Sequence, residues 1–207
     1  MGWSRSAARS VRRMPRSLKF ELRAMQLAFL IDQSRCSGCF TCVVACRQWH
    51  SSELEVTAWR RVEAIEEGTF PNVGVTFFSL SCLHCRKPSC LSACPAGAIS
   101  KRDEDGLVLV NPQRCVGEMQ CGLCREACPF HLPQFNPRHD FRMEKCDFCA
   151  ERLDQGKGPI CVEACPMEAL DWGPFDVLMK RQGITGGGKG IPFSKESEPS
   201  VLIKGKR

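Results

Sequence analysis

The run from Cys36 to Cys46 constrains this chain more than any other feature of its sequence. It reads Cys-Ser-Gly-Cys-Phe-Thr-Cys-Val-Val-Ala-Cys, so its four cysteines are separated by two, two and three residues. This spacing is typical of loops that hold cubane iron-sulfur clusters, in which the fourth cysteine of a run ligates the cluster of a partner run. Thiolate sulfur is a soft ligand that suits iron and sulfide. One such run therefore predicts another.

Three further groups of four cysteines follow along the chain. They are Cys82, Cys85, Cys90 and Cys94, then Cys115, Cys121, Cys124 and Cys128, then Cys146, Cys149, Cys161 and Cys165. A proline follows the last cysteine of each of these three groups. The four groups together use all 16 cysteines of the chain, which predicts that every cysteine is a ligand.

Two other uses of cysteine are weighed against iron-sulfur clusters. A disulfide framework is typical of secreted chains much shorter than 207 residues, and no signal peptide is visible here. Structural zinc accounts for paired cysteines such as those of the fourth group, but it does not explain the repeated spacing of the first. The sequence favours iron-sulfur clusters over both.

The charge is unevenly distributed. Residues 1–24 contain seven Arg or Lys residues and one acid, which accounts for the whole formal charge of +6. We expect this segment to be a disordered leader. Four cubane clusters with thiolate ligands would add about −8 to the balanced remainder, so the basic composition does not indicate nucleic-acid binding. The longest apolar run, Leu27–Ile31, is too short to cross a bilayer.

The remaining pattern predicts an α+β chain of short elements. Strands are predicted at 27–31, 73–80, 98–100 and 106–110, and helices at 42–49, 150–155 and 175–182. Residues 53–68 and 129–142 are predicted to be connections, and residues 184–207 a tail lying extended over the surface or on a partner.

Three segments of the chain resemble one known family. These are Phe29–Cys36, Ser81–Cys90 and Pro159–Pro174, the last reading Pro-Ile-Cys-Val-Glu-Ala-Cys-Pro-Met-Glu-Ala-Leu-Asp-Trp-Gly-Pro. They resemble the iron-sulfur subunits of anaerobic dimethyl sulfoxide reductases, within the four-cluster subunits of molybdopterin oxidoreductases. Formate, polysulfide, tetrathionate and nitrite-linked relatives share the cysteine pattern.

The resemblance implies that two bacterial-ferredoxin-like units are nested. The outer unit would be built from residues 25–72 and 136–175, the inner unit from residues 73–135, and residues 176–207 would form a C-terminal helix and an extended tail. Spacing alone does not choose this arrangement over sequential pairing of the groups.

The nested arrangement implies four sets of ligands. The first outer set is Cys36, Cys39, Cys42 and Cys165, and the second outer set is Cys46, Cys146, Cys149 and Cys161. The first inner set is Cys82, Cys85, Cys90 and Cys128, and the second inner set is Cys94, Cys115, Cys121 and Cys124. Each set would hold one 4Fe-4S cluster.

The third group departs from the family pattern. Five residues separate Cys115 from Cys121, and Glu118 stands where the family has a cysteine. Either the loop is longer and all four thiolates bind, or the cluster is atypical, with an oxygen ligand or a missing iron.

Other side chains are candidates for the surroundings of the clusters. His84 is expected to pack near a cluster or to donate a hydrogen bond to its sulfur. Trp49 and Trp172 are expected to shield clusters from water. His50, His131 and His139 are expected to be surface or loop residues.

The resemblance implies an electron-transfer subunit without catalytic residues of its own. Electrons would pass through four 4Fe-4S clusters from a multi-helix membrane anchor that oxidises quinol to a molybdopterin subunit that reduces dimethyl sulfoxide or related S- and N-oxides. The chain would be peripheral on the cytoplasmic membrane, held there by these partners. A subunit of a formate, aldehyde or hydrogenase-type complex, with the opposite direction of flow, is the alternative.

Overall fold

The computed structural model describes residues 25–50, 57–185 and 194–205, and the predicted leader at 1–24 lies outside the described residues. The strands are β1 Leu27–Asp32, β2 Arg60–Thr69, β3 Asn72–Ser81, β4 Ile99–Lys101, β5 Val108–Val110, β6 Gln134–Asn136, β7 Arg142–Glu144, β8 Leu170–Pro174, β9 Ile184–Thr185 and β10 Val201–Lys204. The α-helices are α1 Thr41–His50, α2 Ser89–Ser92, α3 Leu123–Glu126, α4 Ala150–Asp154, α5 Ile160–Glu163 and α6 Phe175–Met179, and Pro137–His139 form a 3₁₀ turn. The mixed content of short helices and strands agrees with the α+β prediction.

A four-stranded sheet in the order β8-β1-β10-β9 forms the apolar centre of the fold. The predicted strand at 27–31 is confirmed as β1, whose six residues are all buried. It pairs in the antiparallel direction with β8 and in the parallel direction with β10. Buried aliphatic side chains such as Leu27, Ile31 and Leu202 are the residues that the hydrophobic effect is expected to hold here.

The surface position predicted for the tail is wrong for β10. Val201, Leu202 and Ile203 are at most 1% exposed and lie beside β1 in the sheet. The strand that pairs with β10 is β1, which runs parallel to it and lies far away in the sequence. The local pattern of the tail does not indicate this pairing.

A long hairpin formed by β2 and β3 lies next to this sheet. The predicted strand at 73–80 is confirmed as β3, but the connection predicted at 53–68 is wrong over the residues that belong to β2. The pairing runs from Arg60 opposite Ser81 to Thr69 opposite Asn72. The polar residues of β2 remain exposed or half-buried toward the tip, while β3 buries Phe78 and Leu80 at its other end.

Two smaller hairpins accompany the second and third cysteine groups. The predicted hairpin near Asp105-Gly106 is confirmed as β4 and β5. Residues 134–144, most of which were predicted to be loop, form a second hairpin of β6 and β7. Ile99, Val108, Phe135 and Met143 from the two hairpins share a buried cluster with Cys124. Within the described residues, we find no helix with both the length and the apolar character of a membrane span.

Candidate metal centres

The first and fourth cysteine groups exchange their last members. Cys36 lies close enough to Cys42, Cys165 and Cys39 for each of these thiols to raise its pKa, in addition to the larger effect of burial. The same four sulfur-bearing residues line one small cavity, whose walls also include Leu170 and Ser79. The first outer set is therefore brought together around one space.

The second outer set is grouped in the same way. Burial raises the pKa of Cys46, and the thiols of Cys146, Cys161 and Cys149 raise it further. All four of these cysteines are buried. They belong to α1, to the segment before α4 and to α5, and α1 packs against α5.

The two inner sets show the same exchange. Burial raises the pKa of Cys85 to about 12, and the thiols of Cys82, Cys128 and Cys90 contribute. Burial likewise raises the pKa of Cys124 to about 11, with contributions from Cys115, Cys121 and Cys94. Each predicted inner set is therefore brought together around one of its members.

Thiols of different sets also influence each other, and this gives the sets an order. Cys42 raises the pKa of Cys161, which connects the two outer sets. Cys82 raises the pKa of Cys146, which connects the second outer set to the first inner set, and Cys124 raises that of Cys90, which connects the two inner sets. Burial is the largest cause of the shift for Cys161, Cys146 and Cys90. The order is first outer, second outer, first inner and second inner.

The local backbone explains why the groups end as they do. In the second, third and fourth groups a four-residue helix carries the third cysteine, and Gly97, His131 and Glu168 have positive φ three residues after the last cysteine. The turn directs the backbone N–H groups of Ala98 and Ala169 to the sulfurs of Cys94 and Cys165, each at 3.3 Å. Amide donors of this kind stabilise thiolates that bind metal. The first group has Arg47 instead of proline at this point, and α1 continues to His50.

The first loop also requires its glycine. Gly38 has φ of +71°, and a Cβ atom at this position would lie 2.6 Å from the ring of Phe77. An L residue is disfavoured there by its backbone as well as by the contact. The hairpin strand β3 thus holds the loop between Cys36 and Cys39 closely.

The donor sets suit a cationic iron-sulfur core. Buried thiols resist ionisation, as the raised pKa of about 12 for Cys146 shows, and a bound metal supplies the positive charge that keeps them deprotonated. Lys145 is 4% exposed and donates only to the carbonyl oxygens of Val108 and Cys146, without an acidic partner among the described residues. A buried cation of this kind requires negative charge nearby. Anionic clusters on the adjacent thiolates would provide it.

His84 is a buried histidine between two cysteines of the second group. It is fully buried, and its Nδ1 accepts a hydrogen bond of 3.1 Å from the backbone N–H of Val108. Its Nε2 has no hydrogen-bond partner within the described residues. Burial lowers the pKa of His84 well below its usual value, so the ring is neutral with its proton on Nε2. The backbone of Cys146 lies close enough to the ring to oppose this lowering of the pKa.

The carboxylate of Glu118 pairs with an arginine. Its carboxylate accepts a hydrogen bond from Arg125, whose guanidinium lies 4.6 Å from the ring centre of Phe135. Its backbone N–H donates to the carbonyl oxygen of Phe141 at 2.8 Å. These contacts fix the longer loop between Cys115 and Cys121 and leave Cys115 and Cys121 beside Cys124.

Replacing Glu118 with Gln is expected to leave the iron content unchanged, because its carboxylate pairs with a cation on the half-exposed surface. Such surface ion pairs contribute about 1 kcal/mol or less. The measurement is iron per chain after anaerobic purification, with Glu126→Gln as the matched control, since Glu126 is an exposed acid on α3, the helix that carries Arg125. Iron lost from Glu118→Gln but retained by Glu126→Gln would show that Glu118 is a ligand.

Two residues near the cysteines were not identified from the sequence. His50 was expected at the surface, but its Nε2 lies 3.2 Å from the sulfur of Cys149 and its ring packs against Trp59. It belongs to the surroundings of the second outer set because α1 continues for one turn beyond Cys46. Arg60 is fully buried near both outer sets, and only the pairing of β2 with β3 reveals this.

Of the two tryptophans that are expected to shield clusters, Trp172 is half-buried and forms an edge contact with Phe148, with ring centres 6.3 Å apart. Trp49 is 45% exposed, and Arg152 lies over its ring. His131 and His139 lie in the loop and turn positions predicted for them.

Family models match the sequence in two overlapping parts. A model described as a 4Fe-4S dicluster domain matches residues 73–174, and a second model with the same description matches residues 35–99. The two matches together include all four cysteine groups. They support ferredoxin-type iron-sulfur domains as the architecture built on these cysteines.

Individual proteins are similar over most of the sequence. A subunit of the anaerobic dimethyl sulfoxide reductase of Escherichia coli (strain K12) is 41% identical over 187 residues, covering 86% of this chain and 88% of the relative. The thiosulfate reductase electron transfer subunit PhsB of Salmonella typhi is 40% identical, covering 73% of this chain and 77% of its own length. A subunit of the sulfite dehydrogenase of Allochromatium vinosum is 36% identical, covering 72% of this chain and 68% of the relative.

Proposed function

Because this protein belongs to the family of iron-sulfur electron-transfer subunits of anaerobic dimethyl sulfoxide reductases, we propose that it carries electrons through four 4Fe-4S clusters. The clusters would be held by the two outer and the two inner sets of cysteines. An iron-sulfur cluster accepts and releases one electron, and the protein supplies its ligands, hydrogen bonds and dielectric surroundings. The subunit itself would perform no bond chemistry.

The observation that carries this proposal is the grouping of the thiols. In each set, three cysteines of one group lie beside the last cysteine of another. This exchange is typical of paired ferredoxin clusters. It supports an outer unit formed by residues 25–72 and 136–175 and an inner unit formed by residues 73–135.

The order of the sets supports a linear route. The first outer set lies at one end and includes the exposed Cys39, and the second inner set lies at the other end. One partner would exchange electrons at each end. We propose a molybdopterin catalytic subunit and a quinol-oxidising membrane anchor as these partners, with dimethyl sulfoxide or a related S- or N-oxide as the terminal acceptor. The chain would then be a peripheral subunit held at the membrane by its partners.

The test is the iron and acid-labile sulfide content of the anaerobically purified chain, followed by electron paramagnetic resonance during a redox titration. About sixteen iron atoms per chain and four reducible cubane signals are expected. About fifteen iron atoms per chain with an oxidised three-iron signal would mean that one cluster lacks an iron atom. This result would contradict four complete clusters. Bound zinc with little iron would overturn electron transfer altogether.

The similarity to a sulfite dehydrogenase subunit favours a second candidate with the opposite direction of flow. In that case the catalytic partner would oxidise its substrate and deliver electrons to this chain. The assembled complex distinguishes the two directions: clusters that a quinol analogue reduces and dimethyl sulfoxide reoxidises support the first, and clusters that the catalytic substrate reduces support the second.

A further inference from the structure

Arg60 is a fully buried cation with no acidic partner in the part of the chain that the structure describes. Its side chain is among the largest that the fold buries completely, at 2% exposure. Nη1 donates to the hydroxyl of Ser79 and Nη2 to the hydroxyl of Ser81, both at 2.9 Å. Nε has no hydrogen-bond partner within the described residues, and none of those residues pairs a carboxylate with this guanidinium. Since burying an unpaired charge costs several kcal/mol, compensating negative charge is required nearby.

The nearest source of negative charge is the sulfur of the two outer sets. Ser79, which holds Nη1, has its hydroxyl oxygen 3.4 Å from the sulfur of Cys42. Burial alone would lower the pKa of Arg60, but the thiolates of Cys161, Cys146, Cys42 and Cys46 more than offset this and raise it. Cys42 belongs to the first outer set and the other three belong to the second. The geometry agrees for the second set: Arg60 lies over the ring of Phe29, which stacks on Phe148 with ring centres 4.0 Å apart, and the backbone N–H of Phe148 donates to the sulfur of Cys146 at 3.4 Å. One guanidinium therefore lies between both sets.

The hairpin fixes the guanidinium in this position. Arg60 lies opposite Ser81 in the register of β2 and β3, and Ser79 and Ser81 project from the same face of β3 because side chains alternate along a strand. The planar guanidinium donates to both hydroxyls at once, and it lies 4.8 Å from the ring centre of Phe29. Its neighbour Arg61 is instead 40% exposed and paired with Glu63.

We propose that Arg60 is a shared counter-charge for the two outer clusters, and that it raises the reduction potentials of both. This inference rests on the proposed function, because it requires a cluster on each outer set. Reduction adds one negative charge to a cluster, and a fixed cation in a water-excluded site stabilises the reduced form more than the oxidised form. Arg60 is a positioning residue that acts on the clusters through their electrostatic surroundings.

The proposal is tested by replacing Arg60 with Met in the complete chain and titrating all clusters by electron paramagnetic resonance. Two of the four midpoint potentials are expected to fall. At a fixed solution potential, the ratio of reduced to oxidised cluster would drop at least about tenfold for each of these two clusters. This corresponds to a fall of about 59 mV in the midpoint potential of a one-electron couple. The other two potentials are expected to change much less. Arg60→Lys retains the charge, so both outer potentials should stay close to those of the unmodified chain.

Arg61→Met is the matched control, because it removes a cation from the adjacent residue on the other face of the strand. It is expected to leave all four potentials in place. Equal shifts of all four potentials in Arg60→Met, or no shift in a variant with full iron content, would overturn the proposal. If Arg60→Met does not retain iron, Arg60→Gln decides: its neutral amide can still donate to a serine hydroxyl, so only the two outer potentials should fall, and four unchanged potentials would overturn the proposal. Absence of four clusters from the unmodified chain would instead refute the proposed function.

Discussion

Removal of iron from the anaerobically purified chain is expected to unfold most of its structure. Apart from α1, which has ten residues, the α-helices of the described residues contain four or five. Isolated helices of this length are not stable in water, and two-stranded hairpins are marginal at best. The cysteines are themselves part of the core, since six of them are buried among its apolar side chains. In structural metal sites of this kind, binding free energy is folding free energy.

The loss of structure is expected to be uneven. One face of the sheet of β8, β1, β10 and β9 packs in a cluster that contains no cysteine, formed by Ala28, Leu30, Leu178 and Leu202. The hairpins β4–β5 and β6–β7 pack around Cys124 and its neighbours. Hydrogen exchange after chelation should therefore reach full rates first in the two small hairpins and last in β1 and β10.

The measurement combines circular dichroism, limited proteolysis and hydrogen exchange before and after treatment with a chelator and a reductant under anaerobic conditions. Ferrous iron and sulfide added back should restore the signal. Zinc added back in place of iron is the control, because it binds thiolates without forming a cubane. A chain that keeps its protease resistance and near-ultraviolet signal without iron would contradict the expectation.

The sequence predicts the parts of this protein in which local pattern and structure agree. The cysteine spacing identifies the residues that the structure brings together in sets, and the apolar runs identify β1 and β3. Strand β2 is missed because its apolar residues Val62 and Ile65 are three positions apart and break the alternation of a strand. Its conformation is imposed by ten paired residues of β3, which a local pattern does not contain.

Burial of charge is the second feature that the sequence hides. An arginine in a polar segment is normally exposed. Arg60 and Arg61 are adjacent arginines in such a segment, and the local sequence does not indicate which of them is buried. Their different surroundings arise from the alternation of β2 and from the thiols that Cys42 and Cys46 bring to one face. Likewise, His50 meets Cys149 only because two segments 99 residues apart pack together.

The pairing of the cysteine groups also depends on contacts between distant segments. It can be tested by counting the clusters that double variants lose. Spacing fits both a nested and a sequential arrangement, and the two differ in which cysteines share a cluster. In the nested arrangement Cys36 shares its cluster with Cys165, whereas in the sequential arrangement, which pairs the first group with the second, it shares it with Cys94. Two double variants therefore separate the arrangements. Alanine is preferable to serine as the replacement, because a serine oxygen can itself ligate iron.

Cys36→Ala combined with Cys165→Ala is expected to damage one cluster, and Cys36→Ala combined with Cys94→Ala is expected to damage two. If each damaged cluster is lost entirely, about twelve and about eight iron atoms per chain remain. If a damaged cluster retains three iron atoms, the same distinction is read from one or two three-iron signals in the resonance spectrum. The signal of the first inner cluster serves as the internal control, because the thiols beside Cys85 are those of Cys82, Cys128 and Cys90, which both variants retain. The reverse result, with two clusters damaged in the first variant and one in the second, would establish sequential pairing. The thiol neighbourhoods favour the nested outcome, since Cys165 raises the pKa of Cys36, in addition to the larger effect of burial, whereas Cys94 lies beside Cys124.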